Sequence, residues 1–223
     1  MISNTFLTDT RITGFLYLGL ALTGMFTYLF ARSNIYVDGD AFATAVNLLE
    51  KESLARIGIA TELLLVAFQA LAAVWFYKLF RNLNDFSAGL IAAFGMVNAT
   101  MILVSSALWF SALTAAIAGE SAVTVFSLFN VHESLWLVSG VFFGLWLLPM
   151  AYLAAKARMH RALVGFLIAG GIGYILSTFS LILFPEQKMF AEMLALPATI
   201  GEFWIIGYLL VKSRLNEATN KIP

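Results

Sequence analysis

Five ionisable side chains interrupt long apolar stretches of this sequence, and they are the residues best suited to chemistry. They are Arg56, Glu62, His132, Glu133 and Glu202. Ionisable groups in an apolar medium are costly, and they usually face a protein interior or a water-filled cavity. An imidazole next to a carboxylate, as in His132–Glu133, suits acid–base or proton-relay work near neutral pH. The pattern therefore predicts a polar site inside an apolar protein.

Metal-dependent chemistry has few candidate ligands. The chain has no cysteine and two histidines, whereas catalytic zinc usually takes several histidine ligands. Adjacent His132 and Glu133 point about 100° apart on a helix, so they rarely bind one ion together. No G-x-S-x-G, H-E-x-x-H or phosphate-loop pattern occurs. We predict no metal site and no cofactor, and a membrane-embedded hydrolase using His132, with or without a metal ion, stays open as an alternative.

The composition is that of an integral membrane protein. Hydrophobic residues make up 61% of the 223 positions and charged residues 12%, against about 45–50% and about 25% in globular chains. Thirteen basic and thirteen acidic residues give a net charge of zero. That balance argues against nucleic acid as a partner. The expected partner is the lipid bilayer.

Six segments are long and apolar enough to cross a hydrocarbon core, which takes about 20 residues. They are residues 12–31, 54–80, 88–112, 131–155, 163–184 and 198–211. The last is short, and we expect it to extend backwards through Pro197, which a first helical turn tolerates. The predicted fold is all-α: a polytopic bundle of six transmembrane helices in a single domain, residues 1–223.

Two shorter helices are predicted outside these spans. Asp40 is a good N-cap for a helix over Ala41–Glu50. Its apolar face is Phe42, Ala45, Val46 and Leu49, and its polar face is Thr44, Asn47 and Lys51. Such a helix is expected to lie on the membrane surface. The other is predicted over Ser121–Phe129, before the fourth span.

Basic residues predict the orientation. With the N-terminus inside, nine face the cytoplasm: Arg11, Lys78, Arg81, Lys156, Arg158, Arg161, Lys212, Arg214 and Lys221. Four face outward: Arg32, Lys51, Arg56 and Lys188. This asymmetry predicts that both termini are cytoplasmic. All five ionisable groups then lie within about a dozen ångströms of the outer face. We predict an outward-facing polar pocket, in which Arg56 pairs with Glu202 or Glu62.

Small residues recur at a spacing that permits close helix contact. Gly140 and Gly144 form one pair on the fourth span, and Gly165 and Gly173 bracket a second on the fifth. In lipid, such faces let helices approach closely. They predict packing inside the bundle, with a homo-oligomer contact through either pair as the alternative.

Short blocks along the chain resemble a bacterial membrane family. They are Arg11 and Gly14; Asp40-Ala41 with Thr44 and Asn47; Arg56 with Gly58; Phe142-Phe143-Gly144; Gly171-Ile172-Gly173-Tyr174; and Pro197 followed by Gly201-Glu202. In order and spacing they look like domain of unknown function 4386, over about Arg11 to Lys212. The resemblance implies a bacterial or archaeal cytoplasmic-membrane protein with six or seven spans and no assigned activity. It also singles out Asp40, Asn47, Arg56 and Glu202.

The leading functional prediction is a non-enzymatic membrane protein that binds a small ligand, a lipid headgroup or a proton. The predicted pocket residues are Asp40, Asn47, Arg56, Glu62, His132, Glu133, Tyr174 and Glu202. The sequence leaves the question of enzymatic activity open. Besides the hydrolase, a third interpretation is a structural or partner-binding protein, in which the polar residues join helices to one another.

Overall fold

The computed structural model describes residues 2–211, with side chains from Thr8 onward, and its regular structure is helical. This part of the chain contains α1 (Ile2–Met25), α2 (Ala41–Glu50), α3 (Glu52–Phe80), α4 (Asp85–Ile117), α5 (Ala122–Lys156), α6 (Arg161–Leu183) and α7 (Lys188–Val211). A π-helical turn, Phe26–Ala31, and a 3-10 turn, Arg32–Asn34, extend α1. No strand occurs among residues 2–211, which confirms the all-α fold. Lys212, Arg214 and Lys221 lie outside the described residues.

Six helical segments are long and apolar enough to cross a membrane, as predicted. They are Thr8–Arg32 and the helices α3, α4, α5, α6 and α7, with mean hydropathies from 1.5 to 2.0. Several run past their predicted ends, and α4 has 33 residues and α5 has 35. Large apolar side chains on them are exposed, among them Leu103, Phe110 and Leu176. Exposed apolar surface of this kind suits contact with lipid tails, which are themselves apolar.

The short helix predicted over Ser121–Phe129 is not separate, and that prediction was wrong. The Ser121 hydroxyl accepts the Thr124 N–H at 3.1 Å, so a helix does begin here. It then continues as α5 without a break, because no glycine or proline occurs before Gly140. Phe129 is fully buried in the same core as Trp109. The residues before the fourth span are thus the first turns of that span.

The last helix also differs from its prediction, since Pro197 lies inside α7 rather than in a first turn. Proline has no N–H to offer the Met193 carbonyl four residues earlier. The facing helix α6 comes very close on both sides of this point. A Cβ added at Gly173 would lie 1.9 Å from the Leu194 carbonyl oxygen, and one added at Gly170 would lie 2.4 Å from the Ala198 Cα.

Helix α2 begins as predicted, and Thr44 and Leu48 form its buried face. The Asp40 side chain accepts the Ala43 N–H at 2.9 Å and caps the helix. Thr44, assigned to the polar face, is fully buried, whereas Phe42 is 73% exposed. Thr44 turns inward because its hydroxyl accepts the Val37 N–H at 3.1 Å. Phe42 and Leu49 of the apolar face are left exposed, as a helix lying in a membrane interface requires.

The chain forms two compact units, each with its own core. The first, called the α2 unit, comprises Gly19–Phe68 and Ala99–Ser139. Trp109 fills its core. Helix α3 can pack closely against the Trp109 indole because residue 58 is glycine, where a Cβ would lie 2.4 Å from the indole. The second, called the α6–α7 unit, comprises residues up to 18, 69–98 and 140 onward. There Trp146 packs edge-on against Tyr17 and Phe76, with ring centroids 5.9 and 5.6 Å apart.

Candidate functional site

Two of the predicted site residues, Glu62 of α3 and His132 of α5, meet in the core of the α2 unit. Both side chains are fully buried. Oε2 of Glu62 lies 3.9 Å from Nε2 of His132. Among the residues that the structure describes, neither atom has a hydrogen-bond partner. The distance exceeds that of a hydrogen bond, about 3 Å, so an acid and a base face each other with no bond made.

Their remaining polar atoms are held in place. The Trp136 indole donates to Oε1 of Glu62 at 2.8 Å. The Ser105 hydroxyl contacts Nδ1 of His132 at 3.0 Å and the His132 carbonyl oxygen at 3.1 Å. A carbonyl only accepts, so the single hydroxyl proton goes to it, and Nδ1 must supply the proton of the other contact. In the neutral form of this tautomer, with its proton on Nδ1, Nε2 presents a lone pair to Glu62.

Aromatic rings surround the imidazole. The ring centroids of Trp109 and Phe129 lie 5.1 and 5.0 Å from that of His132. Apolar walls exclude water, and in such surroundings a net charge without a partner is costly. The gain or loss of one proton changes the net charge of the Glu62–His132 pair, and therefore changes the cost of burying it.

Glu133, the neighbour of His132, binds a different partner. Nε and an Nη of Arg32 donate to the two Glu133 oxygens in a bidentate ion pair. The guanidinium also lies over the Tyr28 ring, 4.3 Å from its centroid. The two side chains are 20% and 10% exposed. Arg32, which follows the π-helical turn of α1, thus neutralises Glu133 and occupies both of its carboxylate oxygens.

Glu202 and Tyr174 meet in the α6–α7 unit. The Tyr17 hydroxyl donates to Oε1 of Glu202 at 2.7 Å, and the Tyr174 hydroxyl reaches Oε2 at 3.5 Å. Tyr17 is fully buried by the rings of Phe76 and Trp146. Within residues 8–211 no basic side chain forms an ion pair with Glu202. This carboxyl group is held by phenol donors instead.

The predicted partner of Arg56 was wrong. Its Nε lies 2.7 Å from Oε1 of Glu52, one turn earlier on α3, and both side chains are well exposed. A residue pair four apart on one exposed helix face meets without crossing to another helix. The other two family-block residues bond to the backbone. Asp40 caps α2, and the Asn47 amide donates to the Ile35 carbonyl at 3.1 Å.

Residues 12–213 match the family described as domain of unknown function (DUF4386). The chain belongs to this family. The match spans most of the chain and includes both carboxyl sites, Glu62 with His132 and Glu202 with Tyr17. No curated protein and no solved structure matches the chain. Membership in DUF4386 confirms the resemblance seen in the sequence blocks, and the family description assigns no activity.

Two polar residues of this DUF4386 protein were missed as site residues. Arg32 was assigned to the outer loop. In the structure, the helical turns that follow α1 continue to Arg32, whose guanidinium lies over the ring of Tyr28, one turn earlier. Tyr17 was not considered, although it shares one face of α1 with Thr13 and Leu20 at helical spacing. All three are buried. That periodicity was the signal in the sequence.

Metal binding gains no support from the geometry of this DUF4386 protein. Across the described residues, no three His, Cys, Asp or Glu side chains are grouped so that they could hold one ion. Glu133 is taken up by Arg32, and Glu62 and His132 supply only two ligands. The arrangement at Glu62 is better suited to holding a proton than a metal ion.

Proposed function

We propose that this DUF4386 protein is a non-enzymatic, multi-pass membrane protein that binds a proton at the Glu62–His132 pair. The observation that carries the proposal is the 3.9 Å approach of two fully buried atoms without hydrogen-bond partners, Glu62 Oε2 and His132 Nε2. Buried polar atoms without partners are rare in native proteins and call for an explanation. Ionisable residues inside membrane spans are functional candidates by default.

A proton fits this pair better than the other predicted ligands. A lipid headgroup or small molecule would have to reach atoms that are fully buried behind Trp109 and Phe129. An atom on the line between oxygen and nitrogen would lie about 2 Å from each, which is closer than any hydrogen-bonded heavy atom. A proton occupies no such volume.

The proton balance of the pair follows from its tautomer. With Nδ1–H bonded to Ser105 and no proton on Nε2, the imidazole is neutral, and an ionised Glu62 gives the pair one negative charge. One added proton, on Oε2 or on Nε2, brings the pair to zero. The other charged groups close by, Arg32 and Glu133, already bind each other. The charge of this region of the α2 unit is thus set by that one proton.

Proton uptake by the purified chain tests the proposal. The wild type and Glu62→Gln, in detergent and weak buffer, are taken through the same pH step and the protons taken up are counted. We expect the wild type to take up about one proton more per chain, since the pair titrates as a unit. Glu52→Gln is the matched control, because it replaces an exposed carboxyl group on the same helix α3. Equal uptake by the wild type and Glu62→Gln would contradict the proposal.

Infrared spectroscopy adds a readout for the partner residue. The carboxylic acid C=O band of Glu62 should disappear in Glu62→Gln and persist in Glu202→Gln. In His132→Gln the band should titrate over a different pH range, because the facing nitrogen is gone. A titration of this band that His132→Gln leaves unchanged would show that the two residues do not share a proton.

The hydrolase alternative makes the opposite prediction. In its metal-dependent form it requires a bound metal ion, with His132 among the ligands. Stoichiometric zinc in the purified protein that disappears in His132→Ala would favour the enzyme and overturn the proton-binding proposal. The structural interpretation requires instead that Glu62→Gln unfold more easily while proton uptake stays the same.

A further inference from the structure

The turn between α5 and α6 forms a depression of about 400 Å³ in the α6–α7 unit. It is lined by Ala155, Arg158, Met159, Arg161 and Val164. Both arginines are exposed, and within the described residues neither forms an ion pair. A guanidinium presents a planar fork of donors that matches the oxygens of a phosphate group. Two such forks at one depression point to an anionic ligand.

The backbone of Arg158 gives an independent reason to assign a role to its side chain. Arg158 has φ of 54° at the end of α5, where the Met159 N–H bonds to the Ala154 carbonyl at 3.0 Å. Helix α4 ends with the same pattern, but there Gly119 takes the left-handed position with φ of 77°. Glycine is the usual residue at this position because it has no Cβ. In this chain an arginine occupies a position where glycine would fit the turn with less strain.

Basic residues dominate this end of the α6–α7 unit. Lys156 donates to the Leu83 carbonyl at 3.4 Å, which brings the α3–α4 turn beside the end of α5. The ends that meet here carry Arg11, Lys78, Arg81, Lys156, Arg158 and Arg161, against Asp9 and Asp85. Asp9 is already bound to Lys78 at 2.8 Å, and Asp85 accepts the Tyr77 hydroxyl at 2.9 Å. Among the described residues, neither of these carboxylates forms an ion pair with Arg158 or Arg161.

Aromatic side chains place the depression at the level of lipid headgroups. Trp204 stacks on His160, with ring centroids 5.5 Å apart, directly beside the turn. Tyr152 is exposed one turn before the end of α5, under the amine of Lys156. Tryptophan and tyrosine are enriched where a membrane meets water. Basic depressions at this level bind anionic headgroups.

From these observations we propose that the Arg158–Arg161 depression binds the phosphate group of an anionic phospholipid. The site is separate from the Glu62–His132 pair and does not depend on the function proposed for it. The phosphate lies between the two guanidinium groups, and the acyl chains follow the exposed apolar surface of the helices. No bond is formed or broken, so binding is reversible.

Thermal unfolding of the full chain in detergent tests this site with three additives. They are dioleoyl-phosphatidylglycerol, dioleoyl-phosphatidylcholine and inorganic phosphate. We expect phosphatidylglycerol to raise the unfolding temperature of the wild type and phosphatidylcholine to leave it unchanged. In Arg158→Gly and in Arg161→Gln, the half-effective concentration should rise about fivefold, the share of one basic residue near a lipid surface. Arg158→Gly also relieves the left-handed strain, so it is expected to fold.

The matched control is Arg81→Gln, which removes an exposed arginine at the same end but outside the depression. It should respond like the wild type. A second supporting result is that inorganic phosphate raises the unfolding temperature of the wild type and raises it less in both depression variants. That result would support a phosphate site and identify soluble phosphate, rather than a lipid headgroup, as the ligand. Equal responses of the wild type and both depression variants would overturn the proposal. A loss in Arg81→Gln as large as in the variants would also overturn it, because charge anywhere on this end would then suffice.

Discussion

The Tyr17 hydroxyl donates a hydrogen bond of 2.7 Å to Glu202, joining residues 185 positions apart in the chain. Tyr174 reaches the other carboxyl oxygen only at 3.5 Å. Of these two phenol donors, Tyr17 therefore contributes the stronger bond. It ties the first predicted span to the last.

Tyr17→Phe is expected to lower the free energy of unfolding by about 1.5–3 kcal/mol, because a hydrogen bond to a carboxylate is lost without replacement. Tyr174→Phe should cost less, since its bond is longer. Both values are measured by unfolding in mixed micelles. Equal losses in the two variants would mean that the 2.7 Å bond of Tyr17 is no stronger than the 3.5 Å contact of Tyr174.

The Arg32–Glu133 pair should contribute far more to stability than the exposed Arg56–Glu52 pair. Removing one partner of a buried pair costs about 3–5 kcal/mol, and this pair is partly exposed. We expect about 2–4 kcal/mol for Arg32→Ala. For Arg56→Ala we expect less than about 0.5 kcal/mol, the value of an exposed pair four residues apart.

Arg32→Met combined with Glu133→Gln should recover much of the loss, since no charge is then left without its partner. A double mutant as unstable as Arg32→Ala alone would show that the guanidinium acts through Tyr28 and not through Glu133.

Two glycines of α6 should respond to alanine in opposite directions. A Cβ at Gly173 would lie 1.9 Å from the Leu194 carbonyl oxygen, whereas one at Gly165 would meet no described atom within 4 Å. Gly173→Ala must push α7 away, and overpacking costs about 1–3 kcal/mol or more. Gly165→Ala should stabilise the helix by about 1 kcal/mol. Thermal unfolding measures both.

Gly165 and Gly173 also distinguish helix packing within one chain from self-association between chains. Gly140 and Gly144 contact α6, and Gly173 contacts α7 of the same chain, whereas Gly165 meets nothing that the structure describes. If Gly165 lies in a homo-oligomer contact, Gly165→Leu should convert the oligomer to monomer in a sedimentation experiment. If the sedimentation mass of Gly165→Leu equals that of the wild type, Gly165 faces lipid and not a second chain.

The predicted orientation in the membrane is tested with reporter fusions. The basic end of the α6–α7 unit carries Arg81, Arg158 and Arg161, and basic loops stay in the cytoplasm. Fusions at Asp85 and His160 should report cytoplasm, and a fusion at Gln187 should report the outside. The reverse pattern would contradict the predicted topology and place the Arg158–Arg161 depression in the outer leaflet.

The sequence by itself determined the architecture. Six apolar stretches, each long enough to span a hydrocarbon core, specify six helices because a spanning backbone must satisfy its own hydrogen bonds. The N-cap at Asp40 could also be predicted from the sequence, since an N-cap side chain bonds to a backbone N–H no more than three residues away. The sequence also identified Glu62, His132 and Glu202 as ionisable groups within apolar stretches, where each needs a specific partner.

Tertiary structure decided which partners those groups have. Glu133 pairs with Arg32, which residue spacing did not predict, and Arg56 pairs with Glu52 on its own helix. Tyr17 reached Glu202, and His132 came to face Glu62, through contacts between helices distant in the chain. Helical phase gives the direction of a side chain on its own helix, but its depth depends on the helix ends. Helix α7 begins at Lys188, so Glu202 lies farther from its start than the predicted span placed it. Which other helix lies opposite depends on how the helices pack, through positions such as Gly58 and Gly173, and no local pattern encodes that choice.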